Sequence, residues 1–201
     1  CVARFAYERK IAPNADMVFE TLGGSVHASV KDKMATLKLA PVSLKDVKVD
    51  AQASVNGETF NYTFLTVGVP HTVIFEKEKR TDDEYREFGR AVRNMSELFP
   101  EGTNVNFAVP REENGVVDVT TYERGVEDLT LSCGTGSTAS AIASVLIGLS
   151  GPKVDVWNPG GLNRVAITFE SSDVALPELT GKAVYVADLK ITDETMQTVE
   201  R

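Results

Sequence analysis

Apolar and polar residues alternate along most of this chain, and a period of two predicts β-strands. The alternation gives way to helical spacing in three segments, residues 2–11, 82–95 and 138–149. Strands are predicted at residues 17–22, 26–30, 34–39, 47–51, 60–66, 73–75, 104–109, 116–122, 154–157, 164–169 and 183–191. Asn56-Gly57 and Asn114-Gly115 predict hairpin turns. Many short strands with few helices favour an α+β fold with mostly antiparallel sheet.

The sequence also contains an internal repeat. Residues 17–39 resemble residues 154–176: each stretch follows a predicted helix, alternates, turns at a Gly-Gly pair and continues as strands. Both copies are expected to close with a short strand, at residues 47–51 and 184–189. We therefore predict two related lobes, each a mostly antiparallel sheet or barrel around a central helix, with the first lobe incomplete. Residues 1–44 with 183–201 would form the first lobe, and residues 45–182 the second.

A short apolar run, residues 129–132, leads into Cys133, which is predicted at a strand-to-helix turn next to Gly134 and Gly136. Unpaired N–H groups and the positive end of the helix dipole meet at such a position, which favours a thiolate and can hold an anion. Glu123 and Arg124, shortly upstream, supply one charge of each sign, which suits the ammonium and carboxylate of an amino acid. These features indicate a functional site, although a free cysteine is also often a small buried residue.

The two cysteines of the chain are not equivalent. Projecting Cys133 back through the repeat puts its counterpart a few residues before Cys1, so a second site cysteine is expected just upstream. Cys1 itself begins an amphipathic helix and is expected to pack in the core. Because the chain starts with Cys1 rather than Met and runs directly into that helix, its beginning is interpreted as truncated.

Three further features leave alternatives open. Residues 134–139 fit the dinucleotide-binding fingerprint, with Asp155 about 20 residues on, but a tight hairpin rather than a crossover helix is predicted after Asp155. His71 lies between two predicted strands and could tune a thiol or line a pocket, or be a loop histidine with a satisfied hydrogen bond. Asn104 could bond a polar ligand or cap a turn.

Composition narrows the class of protein. The 201 residues carry a net charge of −8, which argues against nucleic acid and anionic membranes as partners. No apolar run of the sequence reaches transmembrane length, and its two cysteines make no disulfide framework, so a cytoplasmic location is expected. No His/Cys cluster has metal-ligand spacing, so no metal is expected.

At these residues the sequence resembles the diaminopimelate epimerase family of cofactor-independent amino acid racemases. The most specific matches are Tyr122-Glu123-Arg124-Gly125 and Cys133-Gly134-Thr135-Gly136. The supporting matches keep the family's order: Gly68-Val69-Pro70-His71, Phe99-Pro100-Glu101-Gly102-Thr103-Asn104, Pro159-Gly160-Gly161 and Ala183-Val184-Tyr185. Cys1-Val2-Ala3-Arg4-Phe5 resembles the segment after the family's Cys-Gly-Asn-Gly-x-Arg motif. By this resemblance Cys1 is a structural cysteine, and a catalytic cysteine is expected upstream.

The resemblance implies roles for the residues around the thiol. Cys133 would be the second of two catalytic cysteines, and Gly134 and Thr135 would offer backbone N–H groups to the substrate α-carboxylate. One cysteine would act as base and the other as acid on opposite faces of the chiral carbon. No cofactor is implied.

The remaining roles implied by the resemblance concern substrate contacts and assembly. Glu123 and Arg124 would contact the polar ends of the substrate, and Asn104 would bind it as well. His71 and Glu123 would adjust the thiol pKa values. Tyr185 would lie at the contact of a homodimer.

The function implied is interconversion of LL- and meso-diaminopimelate, a precursor of lysine and peptidoglycan, with the residues at hand lacking the first catalytic cysteine. One departure stands out, because the family often has Asn where this chain has Val69. A related racemase acting on another amino acid therefore remains an alternative, as does a binding module that captures an amino acid without catalysis.

Overall fold

The structure is a computed structural model that describes residues 1–21 and 24–189. Within these residues the helices are α1 (Val2–Glu8), α2 (Asp82–Arg93) and α3 (Gly134–Leu146). The strands are β1 (Asp16–Thr21), β2 (Gly24–Lys31), β3 (Met34–Lys38), β4 (Val42–Ser43), β5 (Lys48–Val55), β6 (Glu58–Val67), β7 (Val69–Phe75), β8 (Asn104–Pro110), β9 (Val116–Glu123), β10 (Asp128–Thr130), β11 (Lys153–Asn158), β12 (Gly161–Ser171) and β13 (Val174–Lys182). None of the helices in this part of the chain has the length and apolarity needed to cross a membrane.

The strands form one continuous hydrogen-bonded path. Its order is β1-β2-β3-β13-β12-β11-β9-β8-β7-β6-β5, with β10 added beside β9 and β4 beside β13. Neighbours on the path are antiparallel, apart from the parallel pairs β7–β8 and β9–β11. Parallel neighbours need a crossover connection, and α2 and α3 lie in these two connections. The predicted α+β class with a mostly antiparallel sheet is confirmed.

Local sequence accounts for several element boundaries. Asn56 and Gly57 form the two-residue connection between β5 and β6, with φ of 52° and 82°. Positive φ at both positions is what a type I′ hairpin turn requires. The N-cap of helix α2 is Thr81, whose Oγ1 accepts from the Glu84 N–H (3.4 Å), while Glu84 Oε2 accepts from the Thr81 N–H (2.8 Å). This reciprocal pair is a capping box.

The strands from β6 to β9 separate two apolar cores. Successive residues of a strand point to opposite faces, so each strand contributes to both cores. The core on the α3 side includes Leu65, Val73, Ala108, Val119, Ala139 and Ile142. The core on the α2 side includes Tyr62, Ile74, Phe107, Tyr122, Tyr85 and Phe88. Helix α3 is buried from Gly136 to Ser144, because its small residues let the strands approach it closely.

The internal repeat has a structural counterpart. Helix α1 is followed by the antiparallel strands β1, β2 and β3, and helix α3 by the antiparallel strands β11, β12 and β13. The last strands of the two copies, β3 and β13, pair antiparallel with each other. The order of strands is therefore mirrored on the two sides of this pair.

The strand predicted at residues 183–191 is wrong over its described part, because residues 183–189 form no strand. Lys182 pairs with Met34, the first residue of β3, and the Ala183 N–H donates to Lys33 O at 2.9 Å. Beyond this point β3 offers no further residue to pair with. The predicted close of the second repeat at residues 184–189 fails for the same reason. Residue 22, the end of the predicted strand 17–22, residue 23, the first glycine of the predicted Gly-Gly turn, and residues 190–201 lie outside the described residues.

Candidate functional site

Cys133 immediately precedes α3. It is the N-cap, with extended backbone (φ −115°, ψ 111°), and its Sγ accepts a hydrogen bond from the Gly136 N–H at 3.3 Å. The first intrahelical bond runs from the Ser137 N–H to Cys133 O at 2.8 Å. A sulfur here takes the place of the oxygen that usually caps a helix. The predicted position of Cys133, at the turn into a helix, is confirmed.

The thiol is 8% exposed, and burial changes its acidity. Burial raises the pKa of Cys133, and the nearby Glu123 carboxylate raises it further, whereas hydrogen bonds from Thr135 and Gly136 oppose the rise without cancelling it. The net pKa is above the ordinary value of a cysteine. The expectation that the helix N-terminus favours a thiolate at Cys133 is therefore wrong. Desolvation outweighs the two hydrogen bonds, and Cys133 is a thiol at neutral pH.

Two glycines shape the first turn of α3. A Cβ on Gly136 would lie 2.4 Å from Asn106 Oδ1 and 3.1 Å from Cys133 Sγ, so no larger residue fits there without movement. A Cβ on Gly134 would lie 3.1 Å from Leu179 Cδ2. The N–H groups of Gly134 and Thr135 belong to the first turn and have no carbonyl one turn earlier within the helix. They are therefore the donors that a bound carboxylate could use.

Hydrogen bonds to the β11–β12 hairpin hold the turn that precedes α3. Ser137 Oγ donates to Cys133 O (2.9 Å) and accepts from Asn158 Nδ2 (3.1 Å). The Gly160 N–H donates to Leu131 O at 2.6 Å. A Cβ on Gly160 would lie only 2.7 Å from that oxygen, which explains why a glycine stands at this position. The position of Cys133 is thus fixed from the side of the hairpin.

Glu123 and Arg124 lie at the end of β9 and are both half-buried. Glu123 Oε1 accepts from Thr130 Oγ1 at 2.8 Å, and its charge acts on Cys133. The Arg124 N–H donates to Asn104 Oδ1 at 2.8 Å, which fixes the buried Asn104 side chain. The structure thus brings Glu123 to the thiol and ties Asn104 to Arg124, as a shared site would require.

His71 is not between two strands, as predicted, but inside β7. The strand begins at Val69, earlier than expected, because the positive φ of Gly68 (70°) turns the chain tightly out of β6. His71 is completely buried, and its Nδ1 lies 3.2 Å from Asn106 Nδ2. Burial lowers the pKa of His71 to about 4, and the charge of Arg124 also lowers it. The ring is therefore neutral at neutral pH.

Sequence reasoning missed two polar residues of the same face, Asn106 on β8 and Thr121 on β9. Both are buried, and Thr121 Oγ1 donates to Asn106 Oδ1 at 3.0 Å. On these strands the face towards α3 is apolar at one end and polar at the other, near the helix N-terminus. The signal was available in the alternation itself, since Asn106 stands two residues after Asn104 and Thr121 two before Glu123.

A cleft of about 430 Å³ opens beside the turn that carries Cys133. Asn163 and Leu179 line it, and both touch that turn: Asn163 Nδ2 donates to Ser132 Oγ at 3.1 Å, and Leu179 lies against Gly134. The other wall is formed by residues of α1, β1, β2 and β3. The cleft therefore lies between strands β12 and β13 and the first copy of the repeat, and Cys133 is not among the residues that line it.

Two residues singled out from the sequence lie outside this cluster. Cys1 is exposed, so the expectation that it packs in the core is wrong. Tyr185 is 38% exposed and lies beside α1, with the guanidinium carbons of Arg4 and Arg9 at 5.0 and 5.6 Å from its ring centre. Its expected role in a dimer contact stays a prediction.

Comparison with known proteins gives consistent results. The family model described as "Diaminopimelate epimerase" matches residues 63–186. The diaminopimelate epimerase of Hydrogenobaculum sp. (strain Y04AAS1) is 42% identical over 185 residues, which cover 90% of this chain and 65% of the relative. That of Aquifex aeolicus (strain VF5) is 39% identical over 200 residues, with 98% and 69% covered. The chain thus spans about two thirds of the length of these curated relatives.

Solved structures share the fold at low sequence identity. A phenazine biosynthesis protein of the PhzF family from Bacillus anthracis superposes with a TM-score of 0.65 at 14% identity, covering 94% of this chain and 72% of that protein. A PhzF-family protein from Enterococcus faecalis gives a TM-score of 0.54 at 9% identity, covering 91% and 70%. At these identities the likeness concerns the fold alone.

Proposed function

Because this chain belongs to the diaminopimelate epimerase family, we propose that the full-length protein is an isomerase that interconverts LL- and meso-diaminopimelate without a cofactor. In this reaction a proton leaves the α-carbon on one face and another arrives on the opposite face. The observation that carries the proposal is the placement of Cys133. Its thiol caps α3, lies beside Glu123 and is largely removed from water.

The protonation state of Cys133 suits the acid of a two-base mechanism. A proton donor must hold its proton until the carbanion develops, and the raised pKa keeps the Cys133 thiol protonated at neutral pH. The base on the opposite face is the second cysteine expected from the repeat. In the reverse direction the two groups exchange roles, so Cys133 then acts as the base.

The charge that develops on the substrate carboxylate needs preorganised donors. The N–H groups of Gly134 and Thr135 lie at the positive end of the buried helix α3. Such donors cost no reorganisation during the reaction, and the loss of one donor in an oxyanion hole costs about 2.7–4 kcal/mol. The side chain of Arg124, whose Nη1 donates to Glu101 O at 2.6 Å, adds a positive charge at the same end of the sheet.

The identity of the substrate depends on which contacts the protein makes with the end of the substrate distal to the reacting α-carbon. Val69 begins β7, two residues before His71, and a valine there offers no hydrogen bond to a distal polar group. A related racemase acting on a smaller or less polar amino acid is therefore the second candidate.

We also propose a cytoplasmic homodimer with Tyr185 at the contact; the mass of the full-length protein in solution, with and without Tyr185→Ala, tests that assembly.

The test of function is α-proton exchange by the full-length protein in deuterated water. Incubation with LL-diaminopimelate should give deuterated LL and meso isomers, detected by mass spectrometry and chiral separation. A panel of LL-diaminopimelate, glutamate, proline and lysine separates the two candidate racemases by their kcat/KM values. Binding of an amino acid, seen as thermal stabilisation without exchange in any panel member, would overturn catalysis in favour of a binding module.

A further inference from the structure

Asn106 is a fully buried amide in the middle of the site, and its orientation is set by its neighbours. One end of the amide lies 3.1 Å from Thr72 O, a carbonyl that only accepts hydrogen bonds. That end must therefore be the Nδ2 donor. The other end, Oδ1, then accepts from Thr121 Oγ1 at 3.0 Å. The contact with Thr72 O sets the orientation of the amide, and the Thr121 hydroxyl, which can donate or accept, is satisfied by it.

This orientation fixes the tautomer of His71. The same Asn106 Nδ2 lies 3.2 Å from His71 Nδ1. Since Nδ2 carries only donor hydrogens, Nδ1 has to be the unprotonated, accepting nitrogen of the ring. In a neutral imidazole the proton then resides on Nε2. Protonation of both nitrogens would set an N–H against the amide donor.

The proton on Nε2 has no acceptor within residues 1–21 and 24–189, although the atom is completely buried. Buried donors are nearly always paired, so the Nε2 proton needs an acceptor that the described residues do not supply. The ring shares the α3 face of the sheet with Asn104, its neighbour on β8. The positive charge of Arg124 acts on it as well.

We propose that Asn106 is a positioning residue that holds His71 as the neutral Nε2–H tautomer, so that His71 donates a hydrogen bond to the substrate and does not serve as a base for Cys133. The statement that the acceptor is a substrate rests on the proposed function, whereas the tautomer does not. Glu123 is the ionisable side chain that raises the pKa of Cys133. His71 and Glu123, which the resemblance implies would adjust the thiol pKa values, therefore have different roles.

The second contact of Asn106 links this task to the cysteine. Its Oδ1 lies against Gly136, at the place where a Cβ would be 2.4 Å away. Gly136 is the residue whose N–H holds Cys133 Sγ. Asn106 thus bridges the histidine on β7 and the helix turn that carries the thiol.

The test is a measurement of the His71 tautomer in the full-length protein. Long-range ¹H–¹⁵N correlation separates protonated from unprotonated ring nitrogens, and His71→Gln identifies the signals of His71. The wild type should show an unprotonated Nδ1 and a protonated Nε2. In Asn106→Asp a carboxylate oxygen faces Nδ1, so the proton should appear on Nδ1, and kcat/KM should fall by about 10²-fold, the effect of one lost donor.

Two further variants separate positioning from general damage. Thr121→Val removes the hydrogen bond to Asn106 Oδ1 but leaves Nδ2 between Thr72 O and His71, so the wild-type tautomer should persist. Asn14→Asp makes the same chemical change at an exposed position and should change neither tautomer nor kcat/KM. If Asn106→Asp does not fold, the wild-type spectrum still shows which ring nitrogen of His71 carries the proton.

Three results would overturn the proposal: a protonated Nδ1 in the wild type, an unchanged tautomer in Asn106→Asp, or a changed tautomer with unchanged kcat/KM. A failure of the proposed function looks different. In that case the wild type shows the expected tautomer but exchanges no α-proton, so the tautomer assignment holds and its substrate role is overturned.

Discussion

The starts of α2 and α3 resemble each other in geometry and differ in purpose. At both, the N-cap side chain accepts a hydrogen bond from the third helical N–H, from Glu84 to Thr81 and from Gly136 to Cys133. The start of α2 is exposed, carries three acidic residues in its first turn and closes a complete capping box. The start of α3 is buried at Cys133 and Gly136 and half-buried between them, has no acidic residue in its first turn and has glycine in place of the capping carboxylate.

The difference shows what each start is built to do. At α2 the side chains of Thr81 and Glu84 satisfy the backbone donors and complement the helix dipole, which stabilises the helix. At α3 the weaker acceptor sulfur takes one donor, and the donors of Gly134 and Thr135 stay available for an anion. A helix start whose first N–H groups are half-buried and not capped by side chains is suited to binding an anion rather than to stability.

The largest effect on activity is expected from removing the N-cap side chain of α3. Cys133→Ala should reduce the rate of LL-to-meso conversion by about 10²–10⁴-fold, because it removes an acid–base group. Its effect on the free energy of unfolding should be small, since a bond to sulfur is weak. Coupled chiral assays and urea denaturation of the full-length protein measure the two quantities. A variant that unfolds more easily but keeps the wild-type rate would show that Cys133 is only a cap.

The next largest effect is expected from crowding the α3 start. Gly136→Ala places a Cβ 2.4 Å from Asn106 Oδ1, so the amide or the helix turn has to move. Overpacking of this kind costs about 1–3 kcal/mol, measured as a shift of the urea midpoint. Gly151→Ala is the matched control, because nothing lies within 4 Å of its Cβ position. Equal behaviour of the two variants would refute the close approach of Asn106 to the helix.

At the start of α2, removal of the N-cap side chain should lower the stability of the protein and leave its activity unchanged. Thr81→Ala removes the hydroxyl that accepts from the Glu84 N–H. The free energy of unfolding should fall by about 0.5–2 kcal/mol, as for other N-cap threonines, while kcat/KM is unchanged. Ser96→Ala, at an exposed position of the chain, serves as the control. Thermal unfolding and steady-state kinetics test the pair, and a lowered kcat/KM in Thr81→Ala would contradict the division of tasks.

Sequence reasoning located the α3 start because its signals are local. Two glycines, a preceding strand and a small-residue helix all lie within a few residues of Cys133. The acidity of the thiol could not be read in the same way, since it depends on how deeply the folded chain buries it. The strand predicted beyond Lys182 failed for a similar reason, because pairing depends on where the partner strand β3 begins.

The surroundings of His71 could be predicted from the sequence only in part. His71 was predicted between two strands, yet β7 already begins at Val69, beside the tight turn at Gly68. Asn106 was missed although the alternation along β8 places it on the same face as Asn104. Its importance comes from three partners on two other strands, His71, Thr72 and Thr121, which only the folded sheet brings together.

The smallest predicted effect concerns the acidity of Cys133. The Glu123 carboxylate raises the pKa of the thiol, because a nearby negative charge disfavours the thiolate. Glu123→Gln keeps an oxygen for the Thr130 hydroxyl but removes the charge, so the pKa of Cys133 should fall. At any pH below that pKa the thiolate fraction is then larger than in the wild type. The pH dependence of the Cys133 ¹³Cβ resonance, identified with Cys133→Ala, measures the change directly.

Glu113→Gln, in the exposed turn between β8 and β9, also removes one carboxylate charge, but away from the site. It should leave the pH dependence of the Cys133 resonance unchanged. A rise or no change of the pKa in Glu123→Gln would mean that the carboxylate does not act on the sulfur. The start of α3 would then differ from that of α2 by burial alone. A fall of the pKa would instead show that the acid holding the proton at Cys133 is tuned from β9, the strand whose end also fixes Asn104 through Arg124.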